Sequence, residues 1–328
     1  MEISLEDLGD LSLGVLLRNG MSRDDSETIV EHLMCAEICG KTPHGVVKIP
    51  RLIRSWKSSS PKPISVVRET PVSVLLDGGQ QIGLVVAERA MQEATRKARS
   101  SGIGLAGGFN CDGTGMIGYY ARKALSEDFI GIAMANSPAS VAPHGSGMPL
   151  LGTNPIAIAI PAREDFILTD ISTAKMTIAE ILLAGKLGGV LPDGVLLDDN
   201  GQPSHSPDDL AGGAILPIAT YKGSALAFAI EALAGPLVAA KAGWKAVQGS
   251  SGFLVGAINP EIFVPIAKFK QDVQALIDEA RALRPAGGVS AVLIPGERSE
   301  KTRVSNLKKG SVSVPDAVIT ELCELLTH

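Results

Sequence analysis

Polar and apolar residues alternate at helical spacing near both ends of the chain. Leu5–Asn19 and Arg23–Gly40 are predicted to form two amphipathic helices, and Ser22 can cap the second of them. Pro315–Leu326 predicts a C-terminal helix. A Ser/Pro/Lys-rich stretch at Lys57–Pro63 marks the first expected boundary along the chain.

The middle of the chain alternates between short apolar runs and longer helical patterns, which indicates an α/β layer. The predicted strands are Val72–Leu76, Ile103–Phe109, Ile130–Ala135, Ile156–Ile160, Phe166–Ile171, Phe253–Ile258 and Ala291–Ile294. The predicted helices are Ile82–Ser100, Gly115–Glu127, Thr177–Gly188, Tyr221–Ala240 and Glu261–Leu283. Binding and catalysis are expected in the two long loops, Ser137–Pro155 and Pro192–Pro217.

Composition narrows the range of functions. The chain has 328 residues, which suggests about two domains, and 45% are hydrophobic, enough to fill a large core. Thirty basic residues against 35 acidic ones give a net charge of −5, so no bulk attraction to nucleic acid or to an anionic membrane is expected. Aromatic residues make up 4%, too few for many base-stacking platforms.

Features that report on the compartment indicate the cytoplasm. Four cysteines in this length imply no disulfide framework and favour a reducing compartment. The acidic N-terminus lacks the basic region of a signal peptide. The most apolar window, Ala225–Ala240, contains Glu231 and Pro236 and is shorter than the roughly 20 residues that span a bilayer. We therefore expect a soluble cytoplasmic protein.

Motifs for phosphate or metal binding are weak. Gly102–Gly107 matches Gly-x-Gly-x-x-Gly but enters a strand, which is the wrong context for a dinucleotide fingerprint. Gly113–Gly118 matches and opens a helix, where exposed amides could hold a phosphate or ribose oxygen, although a plain tight turn explains the same spacing. Cys35 and Cys39 lack a further Cys or His pair, so no metal site is predicted.

Two histidines lie where a rigid backbone could present an imidazole. His44 stands between Pro43 and Gly45, and a histidine can donate or accept a proton near neutral pH. An exposed loop histidine is the competing interpretation. His144 lies in the long glycine-rich loop that ends in Asn154-Pro155, where an ordinary structural turn is the alternative.

Other polar groups suit an anionic ligand. Thr153 can orient a carboxylate or carboxamide with its hydroxyl. Lys222 begins an apolar helix, where a cation is unfavourable unless it has an anionic partner, and a side chain that extends to solvent is the alternative. Arg298, Lys301 and Arg303 follow a predicted strand, and cations in a strand-end loop suit a phosphate or diphosphate. A solvated charged loop is the alternative.

Taken together, these segments resemble the type-2 malate/L-lactate dehydrogenase family from about Leu5 to Arg303. The motifs that recur in order are His44-Gly-Val-Val-Lys-Ile-Pro50, Gly115-Met-Ile-Gly-Tyr-Tyr120, Ala142-Pro-His-Gly145, Leu151-Gly-Thr-Asn-Pro-Ile-Ala157, Asp170-Ile-Ser-Thr173, Gly213-Ala-Ile-Leu-Pro217 and Lys222-Gly-Ser-Ala-Leu226.

The resemblance implies roles for individual residues. His44 matches the proton donor of the reductases in the family, and Glu180 matches an acidic residue that supports it. Lys48 and Thr153 match positions that contact the substrate. The positions that match cofactor-lining segments are Gly113, Thr114, Gly115, Met116, Ile117, Asp170, Ile171, Ser172, Tyr221, Lys222, Pro295, Gly296, Glu297, Arg298, Ser299, Glu300 and Lys301.

Three positions depart from the family pattern. Pro43 replaces a serine, which makes a Ser–His relay impossible. Lys48 replaces an arginine, so a point charge stands in for a bidentate fork. Gly113 replaces a second histidine that many hydroxy-acid dehydrogenases of the family carry, and because oxidising an alcohol calls for a base, this change argues against a hydroxy-acid substrate.

The resemblance also implies a fold. We expect a mixed α/β protein with a largely antiparallel sheet, a non-Rossmann NAD(P)-binding domain and a helical domain built from both termini. The expected division is residues 1–60 in the helical domain, 61–300 in the cofactor-binding domain and 301–328 as a helix that returns to the helical domain. A homodimer is expected.

The implied activity is hydride transfer to C2 of a small 2-imino or 2-oxo carboxylate. The sequence favours a cyclic ketimine reductase, acting on Δ1-pyrroline- or Δ1-piperideine-2-carboxylate, with NADPH or NADH as cofactor and NADPH preferred. A 2-hydroxy-acid dehydrogenase of the malate, lactate or sulfolactate type is the alternative enzyme. A non-catalytic metabolite-binding homologue is the alternative of another class.

Overall fold

A computed structural model describes residues 1–186 and 188–327. Its helices are α1 Leu5–Arg18, α2 Arg23–Ile38, α3 Ile49–Ser58, α4 Gly83–Ser101, α5 Ile117–Lys123, α6 Ile178–Lys186, α7 Tyr221–Ala234, α8 Ile266–Ala282, α9 Glu297–Lys309 and α10 Asp316–Thr327. Its strands are β1 Glu2–Ser4, β2 Ser65–Glu69, β3 Ser73–Asp77, β4 Ile103–Cys111, β5 Ile130–Ala135, β6 Ile156–Pro161, β7 Phe166–Ile171, β8 Leu196–Leu197, β9 Pro203–Ser204, β10 Ala214–Ile215, β11 Ser251–Ile258 and β12 Ser311–Ser313.

The main sheet of the described residues has seven strands in the order β2-β3-β4-β11-β5-β6-β7. Strands β3 and β4 pair in parallel, and the other neighbours run antiparallel. Inward-facing positions on β5 and β6 are small, such as Ala133, Ala157 and Ala159, and all three are buried. Small side chains let α4 and α5 pack closely on the sheet. The mixed α/β fold with a largely antiparallel sheet is confirmed.

The two ends of the chain share one apolar cluster. Leu8, Leu16 and Leu33 from the first two helices are fully buried together with Leu322 of α10. Strand β1 pairs antiparallel with β12 and fastens the N-terminus to the C-terminal segment. The division at residues 60 and 300 stays a prediction.

Several predicted elements differ from the structure. The apolar run Ala291–Ile294 forms no strand, because Ile294 instead packs against Ile277 of α8. The charged segment that follows is the start of α9 rather than a loop, since Glu297 and Glu300 in its first turn and Gly310 after its last turn favour a helix.

Other boundaries moved by a few residues. Helix α3, missed in the sequence, begins at Ile49 with Pro50 in its first turn. Helix α7 ends at Ala234, where Gly235 and Pro236 interrupt it. The predicted helix Thr177–Gly188 includes Leu187, which lies outside the described residues. Within residues 1–186 and 188–327, no helix is long and apolar enough to cross a bilayer.

Candidate active site

His44 lies in a pair of tight turns between α2 and α3. The His44 amide donates to the Lys41 carbonyl (2.8 Å), the Gly45 amide to Thr42 (3.0 Å) and the Lys48 amide to Gly45 (3.1 Å). Pro43 stands inside the first turn, where its fixed φ suits the bend. The backbone that presents His44 is therefore held at three points.

A buried carboxylate explains why residue 45 is glycine. Glu37 Oε1 accepts the Val46 amide at 2.8 Å. A Cβ at Gly45 would lie 1.9 Å from this oxygen, so a side chain could not fit while the hydrogen bond persists. Burial raises the pKa of Glu37 to about 7, against the lowering effect of the Val46 amide. The sequence analysis did not identify Glu37. Its only signal in the sequence is that it is a charged residue on an amphipathic helix.

The imidazole of His44 is neutral in this environment. Burial, together with the smaller effect of the positive charges of Lys48 and Lys41, lowers its pKa to about 3. Its Nδ1 is buried and accepts or donates no hydrogen bond among the described residues. The neutral imidazole keeps a lone pair that can accept a proton, but burial and the two lysine charges disfavour the protonated form, so a bound anion that offsets these charges is needed to raise its basicity.

Lys48, whose charge acts on His44, is itself influenced by two further charged groups, Arg51 and Asp112. Burial and the charge of Arg51 lower the pKa of the Lys48 ammonium to about 8, while Asp112 opposes them. Arg51 Nη2 lies 3.9 Å from Asp112 Oδ1. Lys48 is therefore mostly charged at neutral pH and can hold a carboxylate. Arg51 and Asp112 were missed in the sequence, although Arg51 follows Lys48 at helical spacing.

The loop Asp112–Met116 contributes Asp112 to this cluster and is held by His32. The Met116 amide donates to His32 Nε2 at 3.0 Å, and a Cβ at Gly115 would approach the same nitrogen to 2.5 Å. Gly115 has φ +71°, which glycine adopts without strain. Burial lowers the pKa of His32 to about 3, with smaller contributions from His44 and Lys48, so Nε2 remains an acceptor. Gly113 is exposed, and a Cβ there would meet no atom within 4 Å.

A narrow cleft adjoins this loop and brings together three of the four predicted cofactor segments. The predicted residues that line it are Met116, Asp170, Gly296, Ser299 and Glu300. The other residues that line it are Cys35, Cys39, Lys41, Gly118, Tyr119, Arg122 and Leu168. The surface that lines the cleft is largely apolar, which suits a planar ring.

The rim charges of the cleft are already paired. Lys41 forms an ion pair with Asp170. Arg122 Nη1 donates to Glu300 Oε2 at 2.6 Å, and Arg303 reaches the same carboxylate at 2.8–3.0 Å. Burial raises the pKa of Glu300, but the hydrogen bonds from Arg303 and Arg122 outweigh it and bring the pKa to about 2. Glu300 is thus a fixed negative charge.

The segment Pro295–Lys301 is positioned by the edge of the sheet. The Leu168 amide of β7 donates to the Pro295 carbonyl at 2.9 Å. Glu297 accepts the Ile294 amide at 2.9 Å and pairs with Lys301, also at 2.9 Å, so it closes the turn before α9. Of the predicted cations, Arg298 is exposed at the helix start.

Thr153 is held through its backbone, and its hydroxyl forms no hydrogen bond with the residues that the structure describes. Its carbonyl accepts hydrogen bonds from Ser172 Oγ (2.9 Å) and from the amide and hydroxyl of Thr173 (3.1 Å each). The adjacent Asn154 donates to the buried Glu231 carboxylate at 2.7 Å. Glu231 is 6% exposed and also accepts Asn136 Nδ2. The Glu231 carboxylate on the apolar helix α7 thus holds the loop around Asn154 in place.

Replacing Glu231 with alanine is expected to destabilise the protein by about 2–5 kcal/mol, because it leaves several buried N–H groups without an acceptor. Thermal unfolding measures this as a lower Tm. Glu231→Gln is the matched control, since it keeps the shape and one acceptor oxygen, and its loss should be smaller. Equal Tm values for wild type and Glu231→Ala would contradict this role.

Three predicted site residues do not join the His44 cluster within the described chain. Glu180 is exposed, and its carboxylate accepts the amide (2.7 Å) and hydroxyl (2.8 Å) of Thr177 at the start of α6. Tyr221 and Lys222 are exposed on α7, where the Tyr221 ring lies 6.2 Å from the His144 ring. Their predicted roles remain untested. Residues 1–186 and 188–327 contain no group of three or more His, Cys, Asp or Glu side chains that could hold a metal ion.

Comparison with known proteins shows which proteins this chain is similar to. The family model for malate/L-lactate dehydrogenase matches residues 3–323. A malate/(S)-sulfolactate dehydrogenase from Methanothermus fervidus is 34% identical over 336 residues, which covers 99% of this chain and 97% of that protein.

Two solved structures have a fold similar to that of this chain. The sulfolactate dehydrogenase from Methanocaldococcus jannaschii superposes with a TM-score of 0.91 at 33% identity, covering 100% of this chain and 97% of that one. The Δ1-piperideine-2-carboxylate reductase from Pseudomonas syringae superposes with a TM-score of 0.87 at 25% identity, covering 99% of both chains.

Proposed function

This chain belongs to the malate/L-lactate dehydrogenase family, and from that premise we propose that it oxidises a 2-hydroxy acid at C2 and catalyses the reverse reduction of the 2-oxo acid. The observation that carries this proposal is the family match over residues 3–323 together with a relative named malate/(S)-sulfolactate dehydrogenase, and His44 beside the Lys48 charge is the group that can exchange the proton. The sequence argument against a hydroxy acid was that Gly113 removes a base. His44 itself supplies that base.

The site residues divide the chemistry between them. Lys48 holds the C1 carboxylate, and the Thr153 hydroxyl is the predicted second contact. His44 accepts the proton from the C2 hydroxyl as hydride leaves C2. A nicotinamide cofactor, when bound, accepts that hydride. In reduction the same imidazole returns the proton, and a bound anion between Lys48 and Lys41 favours its charged form.

The test is consumption of NADH, and separately NADPH, with a panel of substrates. The 2-oxo acids are pyruvate, oxaloacetate and sulfopyruvate, and the cyclic imines are Δ1-pyrroline- and Δ1-piperideine-2-carboxylate. The proposal expects a 2-oxo acid to have the highest kcat/KM. No turnover of any compound would favour a non-catalytic homologue.

A cyclic ketimine reductase is the second candidate, and Gly113 favours it. Gly113 is exposed and a Cβ built there meets no atom within 4 Å, so no side chain restricts the space at this position. The solved piperideine-2-carboxylate reductase shares the fold. Cyclic imines that outperform every 2-oxo acid in the same panel would establish this candidate.

We propose that a nicotinamide cofactor binds against this cleft, and that it is NADH rather than the NADPH that the sequence favoured. The apolar floor at Met116 and Leu168 suits a planar ring. Glu300 occupies both Arg122 and Arg303, and its negative charge opposes a 2′-phosphate. The dehydrogenase names of the relatives support a nicotinamide cofactor in general.

Glu300→Gln is expected to shift the ratio of the NADPH and NADH dissociation constants at least tenfold toward NADPH, because it removes a charge and releases an arginine, each worth about 1.5–3 kcal/mol. Fluorescence titration of each reduced cofactor with the unreacted protein measures both constants. An unchanged ratio would contradict the role of Glu300.

We also propose a cytoplasmic homodimer. All four cysteines are free, as a reducing compartment requires. Helix α6 exposes Leu182 and Leu183, and α7 exposes Tyr221 and Phe228, so apolar surface is left uncovered on neighbouring elements. Light scattering over a range of concentrations should give twice the chain mass, and the mass of a single chain at every concentration would contradict it.

A further inference from the structure

Two thiols lie next to each other where helix α2 ends. Cys39 immediately follows the helix, Cys35 lies one turn before it, and both residues line the cleft beside Met116 and Ser299. The space inside this cleft is about 20 Å³, which is room for about one water molecule. A small uncharged solute can therefore reach the pair of thiols, although Cys39 is only 8% exposed.

The surroundings of Cys39 favour its thiolate form. A hydrogen bond from the Cys35 thiol lowers the pKa of Cys39, and burial opposes it. The positive charges of Arg122 and Lys41 lower the same pKa further, against the negative charge of Glu300. The contact between the two sulfurs raises the pKa of Cys35, which keeps its proton as the donor. Because the thiolate is the nucleophilic form of cysteine, the pair presents one reactive sulfur and one hydrogen-bond donor.

The other two cysteines of the chain lack these features. Cys111 is fully buried in the main sheet, and burial raises the pKa of its thiol. Cys323 is exposed on α10 and does not line the cleft. Cys323 therefore serves as the internal control for a thiol that is accessible but not activated.

We propose that Cys39 is a site of oxidation by hydrogen peroxide, and that its oxidised form obstructs the cleft. The Cys39 thiolate attacks one peroxide oxygen, so an S–O bond forms while the O–O bond breaks. Sulfur loses two electrons and the peroxide gains them. The departing hydroxide takes up a proton and leaves as water. The product is a sulfenic acid on Cys39.

Cys35 does not convert this product into a disulfide while α2 is intact. Cβ atoms four positions apart on a helix are about 5–6 Å from each other. A disulfide requires a separation of about 3.5–4.5 Å between the same atoms. The sulfenic acid therefore persists, and Cys35 acts as a hydrogen-bond donor rather than as a partner for a disulfide.

The oxidised form has a consequence for cofactor binding. The added oxygen takes up about the room of one water molecule, which is the space that the cleft offers. This inference rests on the proposed function, because it takes the same cleft as the place against which the nicotinamide cofactor binds. Oxidation of Cys39 should then weaken NADH binding, and bound NADH should slow the oxidation.

The experiment treats the full-length protein with hydrogen peroxide at pH 7, with and without saturating NADH. After catalase removes the peroxide, the protein is unfolded in dimedone, which labels sulfenic acids, and peptide mass spectrometry measures the label on each cysteine. Cys39 should be labelled at least tenfold faster than Cys323, because a thiol of ordinary pKa is only a few per cent ionised at pH 7. NADH should slow the labelling of Cys39 at least tenfold and leave that of Cys323 unchanged.

Two substitutions test the role of the donor. Cys35→Ala removes the hydrogen bond, and a higher pKa of Cys39 by one unit would reduce its thiolate tenfold while its nucleophilicity rises about threefold. Labelling of Cys39 should therefore slow about threefold in Cys35→Ala. Cys35→Ser keeps a hydroxyl donor of similar size and is the matched control, expected to stay near the wild-type rate.

Fluorescence titration of NADH measures the effect on the cleft. The dissociation constant should rise at least tenfold in peroxide-treated wild type, whereas treated Cys39→Ser should keep the value of untreated Cys39→Ser. Labelling of Cys323 as fast as Cys39, or unchanged NADH binding by wild type labelled at Cys39, would overturn the inference while the dehydrogenase stands. No NADH binding and no turnover by the untreated protein would instead refute the proposed function.

Discussion

His44→Ala is expected to lower kcat about 10²- to 10⁴-fold, the usual contribution of a general acid or base. The two lysines whose charges act on His44, Lys48 and Lys41, cannot accept a proton while charged, so they cannot replace the imidazole. The affinity for NADH should stay near wild type, because His44 is absent from the residues that line the cleft.

Steady-state kinetics gives kcat, and fluorescence titration gives the dissociation constant of NADH. His205→Ala is the matched control, since His205 bonds the Leu191 carbonyl in a distant part of the sequence and has no role in the chemistry. Unaltered kcat in His44→Ala would end the assignment of His44 as base, and loss of NADH binding would assign it to the cofactor.

Lys48→Met is expected to lower kcat/KM about 10²- to 10³-fold, near 3–4 kcal/mol, because a buried carboxylate loses its charged partner. Burial and the charge of Arg51 bring the pKa of Lys48 to about 8, and this value predicts how kcat/KM depends on pH. The ammonium must be charged to bind an anion. In wild type kcat/KM should therefore fall as pH rises through about 8, tenfold for each further unit.

Lys48→Arg separates this titration from every other group. A guanidinium stays charged at all accessible pH values, so the alkaline fall should move out of range while activity at pH 7 persists. The measurement is kcat/KM against pH for both proteins. An alkaline fall near pH 8 that persists in Lys48→Arg would show that another group causes it.

The regular elements of the fold follow from local pattern, whereas the segments between them do not. Helices with clear periodicity, such as α1 and α2, and buried strands, such as β5, were predictable within a few residues. The apolar run before α9 was predicted to be a strand because hydrophobic periodicity alone does not show which element its residues pack against. In the structure its residues pack on α8 and on the edge of the sheet, so tertiary contacts decide their conformation.

The candidate site shows the same limit. His44 and Lys48 were identified through motifs that resemble a family, and the turn around Pro43 and Gly45 explains their rigidity. Arg51 and Asp112 were missed because they meet only when two segments about sixty positions apart fold together. Glu300 was predicted to line the cofactor site, but its pairing with two arginines could not be deduced from spacing.

The central claim is that hydride leaves C2 of a 2-hydroxy acid for the nicotinamide ring while His44 takes the hydroxyl proton. The most direct measurement follows deuterium from the C2-deuterated form of the hydroxy acid that the protein oxidises best, using mass spectrometry of the reduced cofactor. We predict one deuterium in each molecule of NADH formed, and almost no labelled NADH from His44→Ala in the same time. Deuterium released to water, or labelled NADH formed at the wild-type rate by His44→Ala, would contradict the account.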